Sequence, residues 1–125
     1  MSYVIYREIF FSSAHNLRNY NGKCENMHGH NWRVRLYLKR DVLDETGFVM
    51  DFKEVDRILK KITDKLDHRN LNCVKPFDAI NPTAENIARY IFDDAVKEVS
   101  RISEDIKVDK TMVWESEKSC AIYGE

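Results

Sequence analysis

The segment Cys24-Glu25-Asn26-Met27-His28-Gly29-His30 contains the residue types best suited to chemistry in this chain. Side chains two residues apart on a β-strand leave the same face. His28 and His30 can therefore tilt onto one metal ion, and Gly29 between them adds no bulk. The thiol of Cys24 lies one short loop earlier. This spacing predicts a metal centre with a cysteine beside it.

His15 is the predicted third metal ligand. It follows a segment with strand character, and antiparallel pairing with a strand that begins near His28 would bring the three imidazoles together. Three histidine nitrogens with an open fourth position are typical of catalytic zinc. Two alternatives stay open: the His-x-His pair is incidental, or Cys24 is a fourth ligand that closes a purely structural site.

Two further positions carry groups suited to proton transfer or ligand binding. Asp67 and His68 follow the apolar stripe of a predicted helix, and a carboxylate beside an imidazole can orient or charge it. Glu115 ends an apolar strand, where its carboxylate could accept two hydrogen bonds from the amidine-like edge of a heterocycle. In both cases an ordinary surface polar group is the competing interpretation.

The composition favours one globular domain with a small-molecule partner. The chain has 125 residues and a formal charge of −1, and its basic residues are scattered, so no stripe for nucleic acid is present. Its three cysteines lack disulfide spacing, which is typical of a reducing compartment. Arg7 and Glu8 interrupt the first apolar run, which argues against a signal peptide or membrane span. We expect a cytoplasmic protein without a membrane or nucleic-acid partner.

Hydrophobic periodicity predicts two strands, two helices and a final pair of strands. Strands are expected at residues 3–13, 32–39 (reaching back to the histidines if unbroken), 106–115 and 119–123. Asp51, with Glu54 as capping-box partner, precedes the first helix, and Thr83 is the N-cap of the second. The second helix has a predicted buried stripe of Ala84, Ile87, Ala88, Ile91, Ala95, Val99 and Ile102.

The order ββααββ predicts an α+β domain in which a four-stranded antiparallel sheet carries two helices on one face. The first strand is apolar on both faces, with Val4, Tyr6 and Phe10 on the side opposite to Ile5 and Ile9. Two helices cover only one of these faces, and soluble monomers rarely expose so large an apolar patch. We therefore expect a homo-oligomer that buries the other face.

Several motifs carry a resemblance to a known family. In chain order they are His15, Cys24-x-x-x-His28-Gly29-His30-Asn31, Asp51-Phe52, Leu66-Asp67-His68-Arg69-Asn70-Leu71-Asn72, Asn81-Pro82-Thr83-x-Glu85 and Glu115. With them the whole chain resembles the 6-pyruvoyl tetrahydropterin synthase and 6-carboxytetrahydropterin synthase family. The resemblance implies the tunnelling fold (T-fold), in which subunits join their sheets into a barrel with active sites at subunit interfaces. It also implies a hexamer built as a dimer of trimers.

The resemblance further implies a role for each residue of the site. Zn²⁺ is held by the three histidines His15, His28 and His30, and Cys24 is the proton-abstracting base. Asp67 and His68 assist proton transfer, and Glu115 anchors the pterin ring. Four residues are candidates for other contacts with the substrate, the basic ones with its triphosphate: Thr83, Arg18, Lys23 and Lys118.

The spacing of the first motif discriminates among the family's activities. Three residues separate Cys24 from His28, as in the members that form 6-carboxytetrahydropterin, whereas the pyruvoyl-forming type has five. Met27 stands where members that leave hydroxymethylpterin carry glutamate. The resemblance thus implies conversion of 7,8-dihydroneopterin triphosphate to 6-carboxy-5,6,7,8-tetrahydropterin. Formation of 6-pyruvoyl tetrahydropterin is the alternative, and a non-catalytic structural-zinc or pterin-binding module is an alternative of another class.

Overall fold

The computed structural model describes residues 1–22 and 25–125, so Lys23 and Cys24 lie outside the described part. In this described part, five strands and two α-helices follow one another. They are β1 (Tyr3–His15), β2 (His28–Arg40), α1 (Phe52–Thr63), β3 (Arg69–Asn70), α2 (Ala84–Ser100), β4 (Lys107–Ser116) and β5 (Ser119–Gly124). A short 3-10 helix at Leu71–Cys73 follows β3. The predicted ββααββ order is confirmed for the long elements.

The sheet has the strand order β3-β1-β2-β4-β5, and its four long strands are antiparallel as predicted. The pairing of β1 with β2 is continuous from Tyr3 opposite Arg40 to His15 opposite His28. The apolar side chains of β2 that alternate from Trp32 to Leu38 are all fully buried against the helices. His28 and His30 have the same parity, so the histidines share the helix-covered face of the sheet.

Each helix begins where the sequence predicts. The Asp51 carboxylate accepts a hydrogen bond from the backbone N–H of Lys53, and the Thr83 hydroxyl accepts one from Asn86. The expected capping box is not formed, because the Glu54 carboxylate binds Arg57 instead. Ile102 is also not part of the buried stripe, since α2 ends at Ser100 and Ile102 lies exposed beyond it.

The fifth strand, β3, is an addition to the predicted sheet. It pairs in parallel with β1 over only two residues, with Arg69 opposite Ser13 and Asn70 opposite Ala14. The residue before it, His68, has φ of 55°, in the left-handed region that histidine visits more readily than most residues. The N–H of His68 donates to the carbonyl of Ser12 over 2.6 Å. This bond ties the Asp67–His68 segment to the outer edge of β1.

The face of the sheet opposite the helices is open. Val4, Tyr6 and Phe10 of β1 are exposed on it, as expected for a strand with two apolar faces. We call this surface, formed by alternate residues of β1, β2, β4 and β5, the open face. Within residues 1–22 and 25–125, no helix is long and apolar enough to span a membrane.

Candidate active site

Three histidines and one glutamate meet where β1, β2 and β4 lie side by side. His15, His28, His30 and Glu115 each offer one donor atom, and these four atoms lie within 4.8 Å of one another. The cross-strand pairing of His15 with His28 brings their Nε2 atoms to 3.1 Å. Glu115 joins them because Trp114, the residue before it, pairs with Arg33 of β2. We call these four residues the histidine cluster.

Backbone carbonyls fix the tautomers of two of these imidazoles. The Nδ1 of His15 lies 2.8 Å from the carbonyl oxygen of Pro82, and the Nδ1 of His28 lies 2.8 Å from that of Asn26. A carbonyl only accepts, so each Nδ1 carries a proton, and in the neutral form of each ring the lone pair is on Nε2. Two lone pairs 3.1 Å apart repel each other. A cation between them removes the repulsion, and this arrangement is the usual orientation of metal-binding histidines.

The third imidazole, that of His30, also has a nitrogen that a cation would satisfy. The Nε2 of His30 is buried and has no hydrogen-bond partner among the residues that the structure describes, although an unpaired buried polar atom is costly. Burial lowers the pKa of His30, and the nearby Glu115 carboxylate opposes this effect only in part. His30 is therefore neutral and able to ligate at neutral pH. Three imidazole nitrogens with a carboxylate fit a borderline ion such as Zn²⁺.

Trp32 supports the cluster from below, and its role was missed in the sequence. Its ring packs edge-on against His15 and His30, with centroid distances of 5.0 and 5.2 Å. Trp32 is fully buried, so the two imidazoles rest on a rigid surface. The signal was available, because Trp32 continues the i, i+2 series of His28 and His30 on one strand face.

Asp67 and His68 form a pair, as the sequence suggests, but not within the histidine cluster. The Nδ1 of His68 lies 3.0 Å from the Asp67 carboxylate. The other carboxylate oxygen of Asp67 accepts the N–H of Ser12 over 2.9 Å. This backbone hydrogen bond, followed by the contact with His68, lowers the pKa of Asp67. Asp67 is thus ionised and held in place, while the His68 side chain is 82% exposed.

A groove of about 530 Å³ runs beside His68 at the ends of β1 and β2. Its lining includes His30 and four residues whose parity places them on the open face, namely Ser12, Ala14, Gly29 and Asn31. The imidazoles of the cluster have the opposite parity. The pair and the cluster therefore flank the end of the sheet from two sides, and His30 is common to the cluster and the groove.

The predicted substrate-contact residues have other neighbours in the structure. The Arg18 guanidinium donates to the carbonyls of Phe77 and Ile80 over 2.7 and 2.8 Å, which secures the loop before Pro82. Thr83 caps α2, and Lys118 is exposed in the turn between β4 and β5. Their contact with a substrate stays a prediction. Lys23 lies outside the described residues, and so does Cys24, which is the predicted base.

A second cavity has Glu115 in its lining. It has a volume of about 350 Å³ and lies between the start of α2 and β5, with Ala84, Glu85 and Ser119 in its lining. The Glu115 side chain is 37% exposed. Its carboxylate therefore stands between the cluster and a space of the size needed by part of a small ligand.

Comparisons of the sequence with known proteins all identify relatives that act on pterins or are named for them. The sequence pattern of 6-pyruvoyl tetrahydropterin synthase matches residues 4–125. A 6-carboxy-5,6,7,8-tetrahydropterin synthase from Synechocystis is 40% identical over 95 residues, which cover 72% of this chain and 72% of that protein. A 6-pyruvoyl tetrahydrobiopterin synthase from Dictyostelium discoideum is 33% identical over 120 residues, covering 86% and 89%. A dihydroneopterin monophosphate aldolase from Pyrococcus furiosus is 31% identical over 112 residues, covering 90% and 88%.

Solved structures agree with these sequence relatives. The 6-pyruvoyl tetrahydropterin synthase of Caenorhabditis elegans superposes with a TM-score of 0.81 and 25% identity, covering all of this chain and 96% of that one. The Plasmodium falciparum 6-pyruvoyl tetrahydropterin synthase gives 0.79 and 26%, covering 98% and 96%. The tunnelling fold predicted from the sequence is confirmed by these likenesses.

Proposed function

Because the chain belongs to the 6-pyruvoyl tetrahydropterin synthase family, we propose that it is a zinc-dependent 6-carboxy-5,6,7,8-tetrahydropterin synthase. The reaction converts 7,8-dihydroneopterin triphosphate to 6-carboxytetrahydropterin, acetaldehyde and triphosphate, and cleaves a carbon–carbon bond. We place it in the cytoplasm, on a path to 7-deazaguanine nucleosides such as queuosine or archaeosine. The observation that carries the choice of product is the three-residue spacing between Cys24 and His28. The Synechocystis relative carries the same name.

His15, His28 and His30 would hold the zinc. Their Nε2 atoms converge, and two of them are fixed as lone-pair donors by the carbonyls of Pro82 and Asn26. When bound, the ion supplies Lewis-acid polarisation of substrate oxygens. Trp32 keeps the rings in place, which limits their motion during turnover.

Cys24, Asp67 and His68 would move protons. Cys24 removes a carbon-bound proton from the side chain of the pterin, since a thiol beside a cation is more readily ionised. His68 donates and accepts protons, and the ionised Asp67 orients its ring through the contact at Nδ1. The pair stands outside the histidine cluster, so it serves a site completed by a neighbouring subunit.

The oligomer would be a hexamer, a dimer of trimers. Support comes from the open face, where Val4, Tyr6 and Phe10 leave an apolar surface uncovered in a single chain. The β1 edge of the sheet is also largely open, because in the described residues β3 pairs with only two residues of β1. Sheet edges joined between subunits would cover this backbone and place His68 at an interface.

Glu115 would anchor the pterin ring. Its carboxylate can accept two hydrogen bonds from the amidine-like edge of the heterocycle, and the 350 Å³ cavity beside it offers space. Held in this way, the ring would place its side chain over the histidine cluster, and positioning of this kind is a large part of catalysis. Thr83, Arg18, Lys23 and Lys118 are the remaining candidates for contact with substrate.

Two other functions have support of their own. Formation of 6-pyruvoyl tetrahydropterin is favoured by relatives of that name, including the Dictyostelium protein. Aldol cleavage is favoured by the Pyrococcus relative, although Met27 stands where glutamate would be expected for cleavage to hydroxymethylpterin. A non-catalytic structural-zinc or pterin-binding module is the alternative of another class, and it predicts metal binding without turnover.

The test is to incubate zinc-loaded protein with 7,8-dihydroneopterin triphosphate and to identify products by mass spectrometry. We expect 6-carboxytetrahydropterin and acetaldehyde, both lost in Cys24→Ala and His28→Ala. The matched control is Cys73→Ala, because Cys73 is an exposed cysteine in the short helix Leu71–Cys73, outside the histidine cluster. A pyruvoyl or hydroxymethyl product would assign a different reaction to the same site. No product from protein with zinc and pterin both bound would favour the non-catalytic module.

A further inference from the structure

Glu115 occupies the place of a fourth ligand rather than that of a distant anchor. Its carboxylate oxygens lie 3.5 Å from the Nε2 of His30 and 4.0 Å from the Nε2 of His15. Ligand atoms of a tetrahedral zinc ion at about 2.0 to 2.1 Å are separated by about 3.4 Å from one another. The two distances from Glu115 are slightly longer than this value, and the 3.1 Å between the Nε2 atoms of His15 and His28 is slightly shorter.

The chemistry of the contact also points to a cation. In the neutral form of His15, whose Nδ1 donates to Pro82, Nε2 bears a lone pair and cannot donate a hydrogen bond to a carboxylate. Within the described part of the chain the Nε2 of His30 makes no hydrogen bond either, although Glu115 is near it. Lone pairs and a carboxylate that face one point repel one another unless a positive ion lies between them.

The Glu115 side chain can also reach a cavity beside the cluster. Glu115 is partly exposed and lines the 350 Å³ cavity that the pterin would enter. The pairing of β4 with β5 is interrupted between Trp114 and Ser116, so Glu115 sits at a local irregularity of the ladder. A glutamate with three side-chain torsions at such a position can swing between the cluster and the cavity.

We propose that Glu115 is an exchangeable metal ligand, bound to the ion before substrate arrives and released to the heterocycle when a pterin binds. The release half of this proposal rests on the proposed function, whereas the ligand half does not. The exchange keeps the open position of the metal closed to other anions until the correct ring is present. It therefore couples recognition of the pterin to exposure of the ion.

The ligand half is tested with cobalt-substituted protein, whose visible absorption bands report the coordination of the ion. Thiocyanate is titrated as a probe of the open position. Glu115→Gln should bind thiocyanate about 10-fold more tightly than wild type, which corresponds to about 1.4 kcal/mol. Glu115→Asp keeps a carboxylate and should bind less tightly than Glu115→Gln. Circular dichroism checks that each variant is folded.

The matched control is Glu25→Gln, which removes an equal charge beside the cluster. The Glu25 carboxylate lies 3.9 Å from the outward Nδ1 of His28 and accepts the N–H of Leu17, so it cannot ligate the same ion. It should change thiocyanate affinity less than about 2-fold, the scale of a screened surface charge. Equal effects of Glu25→Gln and Glu115→Gln would overturn the ligand role, because charge alone would then explain both.

The release half is tested with 6-methylpterin, which carries no side-chain hydroxyl to ligate the metal. In wild type this pterin should shift the cobalt bands and raise the affinity of the protein for thiocyanate. In Glu115→Gln it should change neither the bands nor the affinity. Binding of 6-methylpterin is measured by the fluorescence polarisation of the pterin. If the pterin binds and the cobalt bands do not change, release is overturned. Failure of wild type to bind the pterin would overturn both release and the pterin-anchoring part of the proposed function, while the thiocyanate result would still decide the ligand role.

Discussion

Two groups of polar residues flank the same end of β1, the histidine cluster and the Asp67–His68 pair, and their surroundings differ. On the helix-covered side His15 is 2% exposed, its tautomer is set by Pro82, and its neighbours are the other imidazoles. On the outer edge His68 is 82% exposed, and among residues 1–22 and 25–125 its one ion-pair partner is Asp67. All four donor atoms of the first group come from one chain, whereas the second presents a single ring to its surroundings.

The difference corresponds to two kinds of chemistry. A metal ligand must be neutral, fixed and desolvated, and burial lowers the pKa of His30 as that task requires. A proton relay needs a ring that can reach substrate and exchange protons, with a carboxylate to orient it. We therefore expect metal binding and proton transfer to be separable by mutation, and four predictions follow in order of expected size.

The largest effect is expected from His15→Ala. Its loss removes one of three converging imidazoles, the one whose tautomer Pro82 fixes, and leaves two imidazoles with a glutamate that is free to leave the ion. We expect less than about a tenth of the wild-type zinc content and a fall in turnover of about 1,000-fold or more. Metal analysis of dialysed protein gives the first quantity. Full zinc content in His15→Ala would remove His15 from the metal centre.

The second effect is expected from His68→Asn, which should lower kcat by about 100-fold or more and leave zinc content unchanged. Asparagine is the chosen replacement because it tolerates the left-handed backbone at this position, where alanine would add strain. Parallel zinc analysis and steady-state kinetics make the measurement. Loss of zinc in His68→Asn would show that the two groups are not separable.

The third prediction joins the two variants in one sample. If the exposed His68 serves a site completed by another subunit, then His15→Ala and His68→Asn chains co-assembled after mild denaturation should regain turnover that neither has alone. Each single variant carried through the same treatment is the control. Activity no higher than the sum of the separate samples would place both groups in one subunit's site.

The smallest effect concerns stability and pH. The pKa of Asp67 is lowered in the folded state, chiefly by the N–H of Ser12, so its ionised form stabilises the fold above the ordinary aspartate value of about 3.9. This contribution is lost as pH falls through the lowered pKa. Asp67→Asn should therefore be less stable than wild type at pH 7, by an amount that shrinks on acidification. Urea unfolding across this range gives the difference, and a constant difference would contradict the assignment.

Much of this arrangement could be predicted because it is local in the sequence. The His-x-His spacing on an alternating strand gave the shared face, and Asp51 and Thr83 marked the helix starts that the structure has. Each of these signals is read within a few residues, where the period of the backbone decides which side chains are neighbours.

The missed features depend on long-range contacts. The hydrogen bond from His15 to Pro82 spans 67 residues, and the approach of Glu115 depends on the register of β4 against β2. The two-residue β3 has no periodicity to detect, since its pairing follows from the path of the chain after α1. Side-chain tautomers also become definite only when the partner carbonyls are in place.

The most direct test of an open catalytic metal centre is zinc K-edge X-ray absorption on the substrate-free, zinc-loaded protein. The histidine cluster predicts a first shell of nitrogen and oxygen atoms at about 2.0 to 2.2 Å, with imidazole scattering from three rings and no sulfur. A sulfur neighbour at about 2.3 Å, lost in Cys24→Ala, would show that Cys24 closes the site. That result would contradict a catalytic centre and favour the structural-zinc module.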